Sequence, residues 1–147
     1  MIAIIDYGVG NLFSLRSSFA MIGAEAVVTA DDKVLRNADK IILPGVGAFE
    51  DAVRKLRQFH MDEMVYEAVQ EGKPLMGICL GMQMLFEKSF EYGEHEGLGL
   101  LKGQVVPMAG KLPSELKIPH MGWNALSVKQ GRLLEEVDGQ YVYFVHS

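Results

Sequence analysis

The chain has 147 residues, of which 49% are hydrophobic, 22% charged and 9% aromatic, with a formal net charge of -5. These values fit one globular domain and leave no basic footprint for nucleic acid. The single cysteine excludes an internal disulfide framework and fits a reducing compartment, hence a cytoplasmic protein.

The N-terminal "MIAIIDYGVG" lacks the basic region and small-residue cleavage site of a signal peptide. No apolar run reaches membrane-spanning length, so no membrane association is expected. "IAIID" instead predicts a first buried strand. "NLFSLRSSFAMIG" places Leu12, Leu15, Phe19 and Ile22 at helical spacing, with Gly23 as its C-terminal cap. "AEAVVTA" predicts a second strand, and "ADKIILPG" a third that ends at Pro44. "AFEDAVRKLRQ" and "MDEMVYEAVQEG" read as helices, the latter closing at Gly72. "PLMGI" is a fourth strand, and "GMQMLFEKS" opens a further helix. Alternating helices and continuous apolar strands predict an α/β fold, a mostly parallel sheet with helices on both faces. Functional loops in such sheets lie at the carboxyl ends of the strands. Here those loops are "DYGVGN", "PGVGAFED" and the turn at Cys79.

From about Ser89 the character changes. Gly and Pro punctuate short β-rich runs, "GQVVPM", "NALSV" and "YVYFVHS", and no helix of ordinary length stands out. Appended antiparallel strands are expected. With no repeat and no low-complexity linker, residues 1–147 read as a single domain. The chain stops within or at the edge of "YVYFVHS", whereas domains usually end in exposed polar termini. The sequence therefore predicts a C-terminally incomplete sheet.

"GICLG" has the form Gly-x-Cys-x-Gly between an apolar strand and a helical pattern. That is the arrangement of a nucleophile elbow, with Cys in place of Ser. Cysteine by itself is commonly buried. Glycines on both sides of a strand-to-helix junction favour a nucleophile, placed at a helix start where the thiolate is stabilised. The same turn aims the Leu80 amide at an oxyanion. "PGVGAF" alone reads as a Gly-rich turn closing a strand. Beside an elbow, its amides offer a second oxyanion donor. It lacks the Lys-Ser/Thr of a phosphate-binding loop. One Cys and four scattered His have no metal-ligand spacing, and no cofactor is expected.

"GICLGMQ" with the upstream "PGVG" resembles the class I (triad-type) glutamine amidotransferases. "DYGVGNLFSL" and "IPHMGWN" narrow the resemblance to the glutaminase subunits of imidazole glycerol phosphate synthase. The resemblance runs the whole chain in order. It implies a flavodoxin-like fold and a cysteine thiolate that attacks the side-chain amide of glutamine. It also implies a heterodimer with a (β/α)8-barrel cyclase subunit (HisF-type) that receives the ammonia. By resemblance Cys79 is the nucleophile, and the amides of Val46 and Leu80 are the oxyanion donors. The "PGVG" loop would need a peptide rearrangement before its amide points into the hole. Gly47, Gln83 and Glu91 match positions that hold glutamine, Glu91 receiving its ammonium, and the backbone of Ser147 also contacts substrate. Asn11, His120, Met121, Trp123, Asn124 and Tyr143 match the face that meets the cyclase. Taken alone, Gln83 and Glu91 read as solvated residues, and His120 as a packed histidine as readily as a functional one. Trp123, between Gly122 and Asn124, fits an exposed anchor.

A cysteine amidase needs a base, normally a histidine oriented by a third group. The chain offers His60, His95, His120 and His146. The family's catalytic pair lies in a late "HPE" segment, and this sequence has none. The expectation is a glutaminase by family, cut short of its catalytic His and Glu and with negligible turnover alone. The alternatives are a non-catalytic, partner-binding form, or another class I amidotransferase. Removing Cys79 separates an enzyme from a binding module, since only the enzyme then stops supplying ammonia.

Overall fold

A computed structural model describes residues 1–129, 131 and 133–147. The chain divides into two compact units, Met1–Val106 and Pro107–Ser147.

The first unit is built on a parallel sheet of order β2-β1-β3-β4. Its strands are β1 (Ile2–Ile5), β2 (Ala26–Thr29), β3 (Lys40–Leu43) and β4 (Leu75–Gly77). Helix α1 (Leu12–Met21) connects β1 to β2, and α2 (Asp32–Asn37) connects β2 to β3. Helices α3 (Phe49–Gln58) and α4 (Met61–Gln70) lie between β3 and β4. Right-handed crossovers in this strand order put α1 on one face and α2, α3 and α4 on the other. Burial follows that division. Ala3, Ile5, Ile41 and Leu43 pack with residues of α2, α3 and α4 in one core, while α1 contributes no buried residue.

Local chemistry explains the elements. In α3, Phe49, Ala52, Val53 and Leu56 are buried at spacings of three and four, one apolar stripe. Glu50 and Asp51 sit in its first turn and Lys55 and Arg57 in its last, matching the helix dipole. Each fully buried side chain of this stripe, such as Leu56, stabilises the fold by about 1.5–3 kcal/mol. The short α2 escapes the sequence reading because only Leu35 of its residues is buried, too little for a periodic signal. Its cap was the available clue: Asp31 accepts from the amides of Lys33 at 2.8 Å and Val34 at 3.2 Å.

The expected helix over "GMQMLFEKS" is corrected. Helix α5 covers only Leu80–Met84, and Phe86–Ser89 form strand β5. Residues further along capture the carbonyls that would continue the helix. Leu98 donates to Met84, Leu101 to Leu85 and Gly99 to Phe86, at 2.8, 2.8 and 3.1 Å. Strand β5 pairs antiparallel with β6 (His95–Glu96) and parallel with β7 (Leu101–Val105).

The second unit is an antiparallel hairpin of β8 (His120–Ala125) and β9 (Tyr141–His146), with a short 3-10 turn at Glu135–Val137. The strand expected at "NALSV" thus starts earlier, at His120. Among the described residues of this unit none is buried. No helix among the described residues is long and apolar enough to cross a membrane.

Candidate active site

Strand β4 ends at Gly77, and the Ile78 amide donates to the Leu43 carbonyl at 3.0 Å, the last rung linking this edge to β3. Cys79 follows at φ 55 and ψ -121, and α5 begins at Leu80. A positive φ with that ψ lies outside the left-handed helical well and costs a non-glycine residue about 1–3 kcal/mol. The neighbours impose it. A Cβ on Gly81 would sit 2.0 Å from the Leu43 carbonyl oxygen, and one on Gly77 would sit 2.5 Å from Met82 Cα. A Cβ on Gly45 would sit 2.5 Å from the Gly81 nitrogen. Three glycines therefore press the end of β3, the loop after it and α5 together, backbone on backbone. The thiol emerges exposed, which overturns the buried-cysteine alternative. The amides of Met82 and Gln83 return to the Cys79 carbonyl. The Leu80 amide, at the first helical position, has no intrahelical acceptor and stands next to the thiol.

The loop from Pro44 to Ala48 lies against this elbow through Gly45. Val46 is 49% exposed, and Gly47 takes a left-handed φ of 88°. The buried Tyr7 hydroxyl donates to the Pro44 carbonyl at 2.7 Å and lies 3.7 Å from Met84 Sδ. Burial pushes the phenol's pKa well above its ordinary 10.0, so Tyr7 stays a donor. At the other end, Glu91 Oε2 accepts from the Phe49 amide at 2.7 Å. That bond supplies the start of α3, whose N-cap Ala48 has no capping side chain. The Glu91 amide in turn donates to Ser89 Oγ at 3.2 Å. Gln83 lies one turn beyond Cys79 on the same side of α5. Val46, Gly47, Cys79, Leu80, Gln83 and Glu91 thus lie on the elbow or on segments bonded to it. Ser147 follows β9 in the second unit.

The four histidines have other neighbours. His60 is at the turn between α3 and α4, 3.5 Å from Glu63. The ten residues of α3, roughly 15 Å of helix, separate it from the Gly45–Gly47 loop. His95 faces Glu50 at 3.9 Å. In the hairpin, His120 Nδ1 and His146 Nε2 are 2.7 Å apart, and His120 Nε2 lies 2.9 Å from Asn124 Oδ1. Among the described residues, no group of three His, Cys, Asp or Glu is arranged to hold a metal.

The residues expected to face a partner separate into sets. Register pairs Met121 with Val145 and Trp123 with Tyr143, so Met121, Trp123 and Tyr143 share one face of the hairpin. Trp123 is 67% exposed and its ring meets Tyr143 edge-on at 5.5 Å. His120 and Asn124 point to the opposite face. Asn11 belongs to the first unit, where it caps α1 by accepting from the Ser14 amide at 3.3 Å.

Comparison with known proteins settles the family. A domain profile described as CobB/CobQ-like glutamine amidotransferase matches residues 3–137. The imidazole glycerol phosphate synthase subunit HisH of Sulfurimonas denitrificans is 53% identical over the whole chain, which covers 72% of that relative. HisH of Oceanobacillus iheyensis is 49% identical with the same coverage. The chain belongs to the HisH family of glutamine amidotransferases. A crystal structure of a glutamine amidotransferase shares the fold, with a TM-score of 0.74 at 21% identity over 99% of this chain and 71% of that one.

For a glutamine amidotransferase the elbow has a definite chemical use. An exposed thiol beside a free helix-start amide can attack a carboxamide and hold the resulting oxyanion. Sequence reasoning missed Tyr7, Ser89 and the Phe49 amide as parts of this site. An aromatic residue straight after a buried strand, in a Gly-rich loop, was the only signal for Tyr7. Nothing local marks the bond from Phe49 to Glu91, whose ends are 42 residues apart.

Proposed function

We propose that this chain is the glutaminase subunit of an imidazole glycerol phosphate synthase, releasing ammonia from glutamine at Cys79. The observation that carries the reading is Cys79 itself, exposed and held at positive φ on the glycine-packed elbow. The Cys79 thiolate adds to the side-chain carbonyl carbon of glutamine. The oxyanion that forms is bound by the amides of Leu80 and Val46. The carbon–nitrogen bond then breaks, the nitrogen leaves with an added proton as ammonia, and a glutamyl thioester remains. Water attacks the thioester, the carbon–sulfur bond breaks, and glutamate and the thiolate are restored. Glu91 receives the ammonium of the bound glutamine, while Gly47 and Gln83 complete its seat.

The base that takes the Cys79 proton, and the carboxylate that orients it, are assigned to sequence outside these residues. The histidine contacts above support that assignment, with His60 beside Glu63 and His95 beside Glu50. The profile that spans both compact units, over residues 3–137, supports one amidotransferase domain rather than two. The partner is a (β/α)8-barrel cyclase subunit in a heterodimer, docked on the Trp123 face of the hairpin. A single cysteine supports a cytoplasmic setting.

The test is ammonia release from glutamine by this chain mixed with a cyclase subunit and its nucleotide ligand. The chain alone is expected to give no turnover. A longer HisH chain carrying the same first 147 residues should turn over, and Cys79→Ala in it should lower the rate by several powers of ten. Partner-dependent turnover by the 147-residue chain would place the base among its own four histidines.

A further inference from the structure

The loop from Pro44 to Phe49 is held at each end by a residue from outside it. At its start the Tyr7 hydroxyl fixes the Pro44 carbonyl, and the same hydroxyl touches Met84 of α5. Gly45 is pressed onto Gly81. At its end the Glu91 carboxylate fixes the Phe49 amide. Between these points stand Val46, Gly47 and Ala48. Val46 is half exposed. A Cβ on Gly47 would meet nothing within 4 Å. Freedom to turn a peptide is therefore confined to the middle of the loop, where the Val46 amide lies.

We propose that Tyr7 and Glu91 are positioning residues that brace the two ends of this loop and so set where the Val46 amide points. The inference rests on the oxyanion role given to Val46 above. Tyr7 ties the loop to the elbow, because its hydroxyl bridges the Pro44 carbonyl and α5. Glu91 ties it to the substrate. One carboxylate oxygen already serves the Phe49 amide, so a cation seated on the other shares its charge with the bond that anchors α3. Seating of the glutamine ammonium and placement of the loop are then coupled through one side chain.

The experiment compares the wild-type chain with Tyr7→Phe, Glu91→Ala and Glu91→Gln by backbone 15N relaxation and amide hydrogen exchange. Tyr7→Phe should lower the order parameters of Val46 and Gly47 from their wild-type values to below about 0.6, while those of β1 stay near the rigid-backbone value of about 0.85. Glu91→Ala should speed exchange of the Phe49 amide by about ten- to a hundredfold, the effect of losing one hydrogen bond to a charged group. Glu91→Gln keeps a neutral carbonyl acceptor and should recover part of that protection, with exchange within about tenfold of wild type and slower than in Glu91→Ala. In a longer HisH chain assayed with a cyclase subunit, Tyr7→Phe should lower kcat and leave KM in place. Unchanged dynamics at residues 46–49 in folded Tyr7→Phe and Glu91→Ala overturn the proposal, whether or not ammonia is released. So does loosening spread evenly through β1 and β3, the mark of a merely structural role. If Tyr7→Phe does not fold, the contrast between Glu91→Ala and Glu91→Gln decides. Loop dynamics as expected, in a wild-type HisH that releases no ammonia, support the braces and overturn the glutaminase reading instead.

Discussion

Gly45, Gly77 and Gly81 share a constraint that Gly47 lacks. The first three have backbone atoms where a side chain would begin, whereas Gly47 has open space and only its φ of 88° to satisfy. Gly81→Ala must therefore separate β3 from α5, and should lower stability by more than about 3 kcal/mol or abolish folding. Gly47→Ala should cost only the strain of a left-handed residue, about 1–2 kcal/mol. Urea unfolding monitored by far-UV circular dichroism separates the two. Tyr7 gives a prediction in pH. Its phenol is raised by burial above the ordinary 10.0. The stability it contributes is fully present below that value and declines as pH rises beyond it, where the unfolded phenol ionises first. Tyr7→Phe should flatten that alkaline decline, measured as Tm between neutral pH and pH values above the ordinary phenol range. The elbow was legible because its glycines fall within five residues of one another around Cys79. The brace at Tyr7 was not, since its acceptor lies 37 positions away and is a carbonyl that any residue carries.

At the scale of elements, the clearest lesson is α5. Its sequence continues in helical pattern through Leu85 and Phe86, yet the chain turns into β5 because the segment from Gly97 to Leu101 claims the carbonyls. Tertiary contacts override local propensity here, and no local reading could foresee it. The parallel strands were legible because burial on both faces leaves continuous apolar runs. The hairpin was legible as strands but not as two distinct faces, which only the register supplies. That register makes a prediction about binding. On the docking proposed above, Trp123→Ala should weaken affinity for the cyclase subunit at least about thirtyfold, as loss of an aromatic anchor does. Asn124→Ala, on the other face, should change it by no more than about threefold. Isothermal titration against the cyclase subunit measures both. An equal loss from the two would mean that the partner grips both faces.

At the scale of the whole molecule, every buried hydrophobic residue among those described lies at or before Leu98. The hairpin unit has none, and a two-stranded hairpin without a core is marginally stable in water. In the chain alone, amides of β8 and β9 should exchange at least about a hundredfold faster than those of β1 and β3. Addition of the cyclase subunit should slow exchange in the hairpin and leave the sheet unchanged. Mass spectrometry of deuterium uptake in peptides from the two units reads this directly.

The backbone-on-backbone seat of Cys79 also sets terms for anyone redirecting this amidase to a new amide. Substitutions beneath the thiol are closed off, because no rotamer can make room where two main chains already touch. A productive library would fix Gly45, Gly77 and Gly81 and randomise the outward-facing Val46 and Met82 together with Gln83. Selectivity would then be reshaped from the rim inward, with the attacking sulfur left in place.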